Sequence, residues 1–479
     1  MAPAAGIKAV NLGGWLVTEG WIKPSLFDGI ANNDLLDGTQ IQLRSASLGK
    51  YLCAENGGGS VLVANRASPS GWETFKLWRV DATHFQIRVF SKQFVGVDGR
   101  GNAVAVEARP RSWEIFEIVR VKDPNRVRIR APNGLFLQAK TESSVTADFA
   151  GGSHWGDDDP SVFLMTTLGT MQGEYQLTNG YGPSRASKVM REHWESFIVE
   201  EDFKFIKDNG LNAVRVPVGW WIASDPTPPA PYVGGSLAAL DNAFSWADKY
   251  GLKVIIDLHA APGCQNGDEH SGGRDGSIEW GAAGSGTVEK TVTVIEFLAR
   301  RYAARPSLIA VELINEPRAE GVSFDTLRSY YQAGYDAVRR HTSSAYVIFS
   351  ARLSADAGEF IPFASGLDGA VLDVHYYNLF SGMFDGWTAA QHIDYVNRER
   401  AGQLAAVTMS NGRPLSFVGE WVAEWGVSGA KPEDYQRFAE AQLKVLGNAS
   451  FGWAYWTYKC AKEHWSLHWM ITNGHISLV

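Results

Sequence analysis

Two acidic residues end apolar runs in this chain. Glu316 follows "LIAVELIN" (308–315) and precedes Pro317; Glu420 stands at the end of "LSFVGEW" (415–421). If both runs are buried strands, each leaves a carboxylate at a strand end, and Pro317 stops further ladder pairing. Two such groups facing each other are what hydrolysis of a glycosidic bond requires. One must be protonated to give a proton to the leaving oxygen, and the other ionised to attack the anomeric carbon. Taken singly, each residue has a plainer account. A strand-end carboxylate can sit in an ordinary salt bridge. His259 alone reads as a hydrogen-bonded structural histidine, and Trp456 alone as core. Only the set points to chemistry.

The elements that must position this pair are legible as alternation. Apolar, β-like runs occur at 211–218, 252–259, 308–315, 345–350, 370–377, 415–421 and 451–458. Several are almost continuously apolar, as expected of strands buried on both faces of a parallel sheet. Between them lie segments with helical spacing: Val288, Val292, Ile295, Leu298 and Tyr302; Leu327, Tyr331, Gly334 and Val338; Tyr435, Phe438, Gln442 and Leu446, with Gln442 the imperfect member. "KPEDYQRF" opens the last of these with Pro432 and two acids, a good helix start. An eighth run, "IKAVNLGGWL" (7–16), lies near the other end of the chain. Eight β/α units predict a closed (β/α)8 barrel, whose active sites sit at the C-terminal ends of the strands. An open doubly wound sheet has less support, because no GxGxxG opens a helix after the first strand.

The stretch 38–168 has another texture and predicts an insertion that divides the barrel into 1–37 and 169–479. It repeats internally: "WETFKLWRV" (72–80) recurs as "WEIFEIVRV" (113–121), with a decayed copy in "DPSVFLMTTL" (159–168). Each copy is preceded by a matching pair of strands and a short β-like run. Three units of about four strands predict an all-β domain with pseudo-threefold symmetry, resembling a fascin-like β-trefoil. Trp72, Trp113, Phe75 and Phe116 are expected in its core.

Bulk properties narrow the function classes. The chain has 479 residues and a formal net charge of −8, without basic blocks, which argues against nucleic acid and anionic membrane surfaces as partners. No run of 18 apolar residues is present, so no membrane span is expected. Three cysteines without a CxxC pair argue against a zinc site or a redox motif, and their odd number leaves at least one free thiol unless pairing is intermolecular. Eighteen tryptophans suit the apolar faces of sugar rings, although most single rings are expected to be core.

With these residues in place, the chain resembles glycoside hydrolase family 5, in clan A, and most closely its exo-β-1,3-glucanase and β-glucosidase branch. The segments that carry the resemblance are "NLGGWLVTEGWI" (11–22), 193–221, "IDLHAAPGCQNG" (256–267), "INEP" (314–317), "DVHYYNLF" (373–380), "VGEW" (418–421) and "GWAYWTYK" (452–459). Plant members of that branch carry a fascin-like insertion after the first strand. The resemblance implies Glu420 as nucleophile and Glu316 as acid/base in a retaining double displacement, with the Glu316 pKa raised and that of Glu420 lowered. It implies Arg215 as the partner of the nucleophile. His259 and Asn315 would surround the bound sugar, His375 and Tyr377 would lie near the catalytic pair, and Trp456 would be an aromatic floor. Glu19 and Asp275 would hold the outer hydroxyls of a terminal glucose. No cofactor and no metal are implied.

There are departures from the family pattern. Relatives often have Phe where Asp268 stands, as half of an aromatic clamp whose other half would be Phe380, and His270 replaces an Asn. Half a clamp points to a smaller or non-sugar aglycone. Three functions therefore compete: a β-glucosidase or exo-glucanase; a family 5 enzyme acting on β-mannan, cellulose or a plant diglycoside; and a non-catalytic glycan-binding protein working through the trefoil. Glycan contact by the trefoil is an expectation in its own right. The resemblance implies secretion to the apoplast or cell wall. One sequon, Asn448-Ala-Ser450, agrees with that, whereas the opening residues lack a signal-peptide core.

Overall fold

The computed structural model describes residue 3 and residues 6–478; the first residues of the opening stretch read for a leader lie outside these. Contacts divide the chain into two compact units, one of Met1–Leu26, Pro183–Gly273 and Ser277–Val479, the other of Phe27–Gly182 with Arg274–Gly276.

The first unit is a closed barrel. Its first strand is β1 (Ile7–Asn11). The others follow the insertion: β14 (Ala213–Gly219), β15 (Lys253–Ala260), β16 (Leu308–Glu312), β17 (Tyr346–Ser350), β18 (Ala370–Tyr376), β19 (Leu415–Trp421) and β20 (Gly452–Tyr455). All eight neighbouring pairs are parallel, and β20 returns to β1, with Ile7 opposite Gly452. The helix Phe324–Arg339 buries all four residues its spacing foretold, Leu327, Tyr331, Gly334 and Val338, whereas Val288 and Val292 of the helix Thr287–Tyr302 and Tyr435 of the helix Pro432–Leu446 are only half-buried. Gln442 is buried too, because its amide donates to the Val422 carbonyl at 3.0 Å. Inside the barrel, one end is plugged by small and branched side chains, among them Ala9, Ala213, Ile255, Ala310, Ile348 and Val371. Toward the strand C-termini this gives way to a buried polar layer: Asn11, Arg215, Asp257, Glu312 and Asp373 are all fully buried. A closed barrel interior is filled in layers by alternating side chains, so a charged layer must satisfy itself internally.

The second unit holds twelve strands in three sets of four. They are β2 (Gln40–Ser45), β3 (Tyr51–Ala54), β4 (Leu62–Arg66) and β5 (Thr74–Arg79); β6 (His84–Arg88), β7 (Phe94–Val97), β8 (Ala103–Glu107) and β9 (Ile115–Arg120); β10 (Arg126–Arg130), β11 (Phe136–Thr141), β12 (Ser144–Phe149) and β13 (Phe163–Gly169). The first and last strands of each set form one antiparallel ring, β2–β5–β6–β9–β10–β13 and back to β2. The middle strands form three hairpins, β3–β4, β7–β8 and β11–β12. A six-stranded ring with three hairpins is the β-trefoil arrangement, and its core includes Phe75, Phe116 and Phe163.

The "WE" repeat is oriented opposite to expectation. Phe75 and Phe116 are buried, but Trp72 and Trp113 are 37% and 68% exposed, while Glu73 and Glu114 are buried. Each glutamate accepts a backbone N–H three residues earlier, that of Ser70 at 2.7 Å and that of Arg111 at 2.6 Å. Closing these short helical turns draws the carboxylate inward and leaves the neighbouring indole outside.

Among the described residues no helix is long and apolar enough to cross a membrane. All three cysteines are free thiols.

Candidate active site

The site lies at the C-terminal ends of the barrel strands. Every residue of β19 is buried. Gly419, before Glu420, donates its N–H to Asp373 Oδ1 at 2.6 Å, and a Cβ there would fall 2.3 Å from Asp373 Oδ2. Only glycine lets the strand approach that carboxylate so closely. Glu420 then projects inward, where Oε1 accepts from Arg215 Nη1 at 3.2 Å and Oε2 from the Tyr377 hydroxyl at 2.6 Å.

Glu316 is held differently. The ladder of β16 stops at Glu312, four residues before it. The segment between leaves the sheet, with the Asn315 N–H donating to the Leu258 carbonyl and Gln265 Nε2 to the Asn315 carbonyl, both at 2.9 Å. Glu316 has φ +46, a left-handed conformation that is strained for a side-chain-bearing residue. Its N–H donates to Ser350 Oγ at 3.1 Å. A carboxylate oxygen of Glu316 and one of Glu420 lie within 4.8 Å of each other, with His375 Nδ1 2.6 Å from Glu316 Oε1 and 3.5 Å from Glu420 Oε2.

Arg215 organises the layer below. It is fully buried and makes five hydrogen bonds: two to Glu312 at 2.7 and 2.9 Å, and one each to Asn11, Asn315 and Glu420 at 2.9, 2.9 and 3.2 Å. Asp257 lies 3.2 Å away. With several carboxylates around one guanidinium, burial pushes Glu312 well above the usual carboxylate range even against the pull of Arg215. Asn315 spends its oxygen on Arg215; its Nδ2 is buried with no partner among the described residues. His259 is fixed by Asp257 through Nδ1 at 2.6 Å and stacks on Trp456 with ring centroids 5.3 Å apart.

The electrostatics of Glu316 run against the sequence expectation of a raised pKa. Burial works against its charge, but the neighbouring imidazoles outweigh that and hold the carboxyl at about 2. His375 Nδ1 lies 2.6 Å from Oε1, and His270 Nε2 lies 3.6 Å from Oε2. His375 is pushed well above its ordinary value: burial opposes its charge, and the carboxylates of Glu420, Asp373 and Glu316 overcome the burial. Glu19 shows the opposite balance. It is buried, accepts from Trp21 Nε1 at 2.9 Å, and is pushed up to about 8 by loss of water.

Nine sequence candidates thus converge: Glu19, Arg215, His259, Asn315, Glu316, His375, Tyr377, Glu420 and Trp456. Phe380 stands at the rim, 82% exposed, 5.5 Å from the Tyr377 ring and 6.2 Å from that of Trp465. Asp268, read from the sequence as the lost half of an aromatic clamp, is paired with Arg318 at 2.7 Å. Asp275 departs from its expected role. By contacts it belongs to the all-β unit, where its carboxylate takes Arg88 Nη1 and Trp78 Nε1, both at 2.6 Å.

Sequence reasoning passed over Glu312, Asp257 and Asp373. Their signal was present as single acids inside otherwise apolar runs. It also passed over Trp21 and Trp465, which pack edge to face at 4.9 Å and had no distinguishing pattern. Two triplets, Glu316–His375–Glu420 and Glu312–Asp373–His375, have a metal-like donor set and spacing. Both ring nitrogens of His375 are already engaged, by Glu316 at 2.6 Å and Asp373 at 3.0 Å, so neither triplet presents a free imidazole to an ion.

Comparison with known families decides the class. The family described as Cellulase (glycosyl hydrolase family 5) matches residues 179–462, more than half of the chain. This chain belongs to glycosyl hydrolase family 5. Residues 32–168 match a domain of unknown function, DUF7910. Curated relatives include the probable glucan 1,3-beta-glucosidase A of Emericella nidulans, 34% identical over 63% of this chain and 82% of the relative. That of Aspergillus clavatus is 32% identical over 73% of this chain and 91% of the relative. Among solved structures, a rutinosidase from Aspergillus niger superposes with a TM-score of 0.55 at 19% identity, covering 63% of this chain and 88% of that one, a likeness of fold. The protein is a glycoside hydrolase, built as a (β/α)8 barrel with an all-β domain of many strands.

Proposed function

We propose that this hydrolase removes β-linked glucose from β-1,3-glucan ends, oligosaccharides or β-glucosides with retention of configuration. Glu420 attacks the anomeric carbon, while Glu316 protonates the leaving oxygen and later takes a proton from water. The observation that carries this reading is the Glu316–Glu420 separation, within 4.8 Å at the nearest oxygens. Retaining enzymes hold their carboxyls about 5–5.5 Å apart, whereas inverting ones need about 6.5–9.5 Å to admit a water. The glucan names of the curated relatives support the glucan substrate. Arg215 and Tyr377 hold Glu420 aimed, and the Asn315 Nδ2 without a partner among the described residues is the donor for a ring hydroxyl. The buried Glu19 and the Trp456 floor would complete a pocket for one terminal sugar.

Leaving-group dependence tests the roles. Glu420→Ala should abolish hydrolysis of every β-glucoside. Glu316→Ala should spare substrates with an activated aryl leaving group and cost about 10²–10⁴-fold on alkyl glucosides. Equal losses on both substrates in Glu316→Ala would remove Glu316 from the acid role.

For the all-β unit we propose glycan contact. The support is an exposed aromatic pair: Phe90 is 67% exposed, and its ring lies against Gly57 and Gly71, close to Trp72. Rings bared in this way suit the apolar faces of sugars. Trp72→Ala with Phe90→Ala should weaken retention on insoluble β-glucan and leave aryl glucoside hydrolysis intact; unchanged retention would reject the contact. Secretion is the matching expectation for location, and Asn448 of the sequon is exposed.

A further inference from the structure

Glu316 offers its two oxygens unequally. Oε1 is taken by His375 Nδ1 at 2.6 Å. Oε2 makes no hydrogen bond to any described residue; His270 Nε2 stands off at 3.6 Å. Oε2 is therefore the oxygen left open to a departing group, and the side chains beyond it line the leaving-group side of the site. That side is charged. The same His270 nitrogen lies 3.7 Å from Asp268 Oδ2, which in turn takes Arg318 Nη2 at 2.7 Å.

Arg318 comes two residues after Glu316, and Asp268 stands in the loop after β15, so the pair ties together two chain segments that meet at the acid. Backbone holds both members. The Asp268 N–H donates to Asn266 Oδ1 at 2.9 Å, and the Asp268 carbonyl accepts from Ser271 Oγ at 2.6 Å. Arg318 donates from Nε to the Asn266 carbonyl at 2.7 Å and from its backbone N–H to the Gln265 carbonyl at 3.1 Å. The two side chains nevertheless remain 43% and 31% exposed. Asp268 Oδ1 and Arg318 Nη1 have no hydrogen-bond partner among the described residues.

A partly exposed ion pair adds little to the stability of a fold. What this one presents is a fixed acceptor and a fixed donor, each with bonding capacity unspent. That is the complement of two hydroxyls on neighbouring carbons: one donates to Asp268 Oδ1 and the other accepts from Arg318 Nη1. An alkyl or unsubstituted aryl leaving group would strip water from both charges and return nothing. We infer that Asp268 and Arg318 form a leaving-group subsite that selects a second sugar, through adjacent hydroxyls, over an apolar aglycone. The inference rests on the reading of Glu316 as the acid, since that role places the leaving group at Oε2. It runs against the smaller or non-sugar aglycone that Asp268 suggested in the sequence.

The test compares laminaribiose, a β-1,3-linked glucose disaccharide, with hexyl β-glucoside in the full chain. Both release an alkyl oxygen that needs the same help from the acid, so the ratio of their kcat/KM values isolates recognition of hydroxyls. Asp268→Ala should lower that ratio about tenfold, through KM for laminaribiose, and Arg318→Gln should act in the same direction. Asp268→Asn, which turns the open acceptor into a donor, replaces the Ala variant if that one does not fold by circular dichroism. An unchanged ratio, or equal losses on both substrates, would overturn the proposal; equal losses would make the pair only a brace for the loop. Phenyl and 3,4-dihydroxyphenyl β-glucosides form a second pair, because a catechol carries the same adjacent hydroxyls. A fall confined to that second pair would overturn a sugar as the occupant. Glu316→Ala, assayed alongside on aryl and alkyl glucosides, separates the two readings. If it shows no leaving-group selectivity, the acid role of Glu316 fails; if it does and the laminaribiose ratio stays put in the Asp268 variant, only the subsite fails.

Discussion

Replacing Arg215 by Lys keeps the buried charge but changes its shape. The guanidinium makes five hydrogen bonds to four residues, three of its nitrogens reaching Glu312, Asn11, Asn315 and Glu420 at once. An ammonium has three donors on one nitrogen and cannot span that set. At least two charge-assisted bonds are lost, about 1.5–3 kcal/mol each, or about 3–6 kcal/mol in total. That is a large share of a stability of about 5–15 kcal/mol. At about 1.5 °C per kcal/mol for a unit of roughly 320 residues, the melting temperature should fall by roughly 4–9 °C. Activity should fall further than stability explains, because Glu420 loses the group that aims it; misplacement of this kind costs about 10²-fold. The assays are thermal unfolding followed by tryptophan fluorescence, and kcat/KM on an aryl β-glucoside well below the variant's melting temperature. A Lys variant melting within about 2 °C of the parent and retaining kcat/KM within about threefold would refute the claim that this fork holds Glu420 in place.

Two further substitutions probe the same mouth. Glu19 titrates near 8 in the folded chain against about 4.5 when unfolded, so its contribution to stability is present below pH 4.5 and is lost as pH rises through 8. The loss should reach about 4–5 kcal/mol. Glu19→Gln should lack this slope, and urea unfolding at pH 5 and pH 9 should show the parent losing more stability than the variant; parallel losses would count against the buried neutral carboxyl. Gly419→Ala would drive a methyl to within 2.3 Å of Asp373, so a stability loss of about 1–3 kcal/mol and at least tenfold lower kcat/KM are expected, checked by melting and by steady-state kinetics.

The barrel was legible because its strands are buried on both faces and read as apolar runs; 415–421 coincides with β19 to the residue. It was less legible at the mouth. The run 308–315 was read as continuous strand, but the ladder ends at Glu312, since Asn315 must turn out to meet Leu258 and Gln265 and bring Glu316 into the site. Periodicity registers burial, and these residues are buried off the sheet. The trefoil repeat was visible as a 41-residue echo, yet the echo did not say which member of "WE" faces inward. A backbone cap decided that, and capping geometry leaves no hydrophobic trace. The proposed catalytic pair was visible as residue types in place. The lowering of Glu316 was not, because it comes from imidazoles brought in from β18 and from the loop after β15.

One feature of the connectivity constrains how this chain comes together. Strand β1 pairs with β14, about 200 residues on, and with β20, more than 400 residues on. On a ribosome it emerges first and must wait for the last strand before the barrel can close. The ring of β2–β13 is completed within one stretch of about 130 residues, so it can fold while most of the barrel is still unmade. Removing that stretch would shorten the β1–β14 loop about threefold and ease its closure by only about 1 kcal/mol. An insertion here therefore adds little to the equilibrium cost of assembly; the long separation is felt as a slow final pairing.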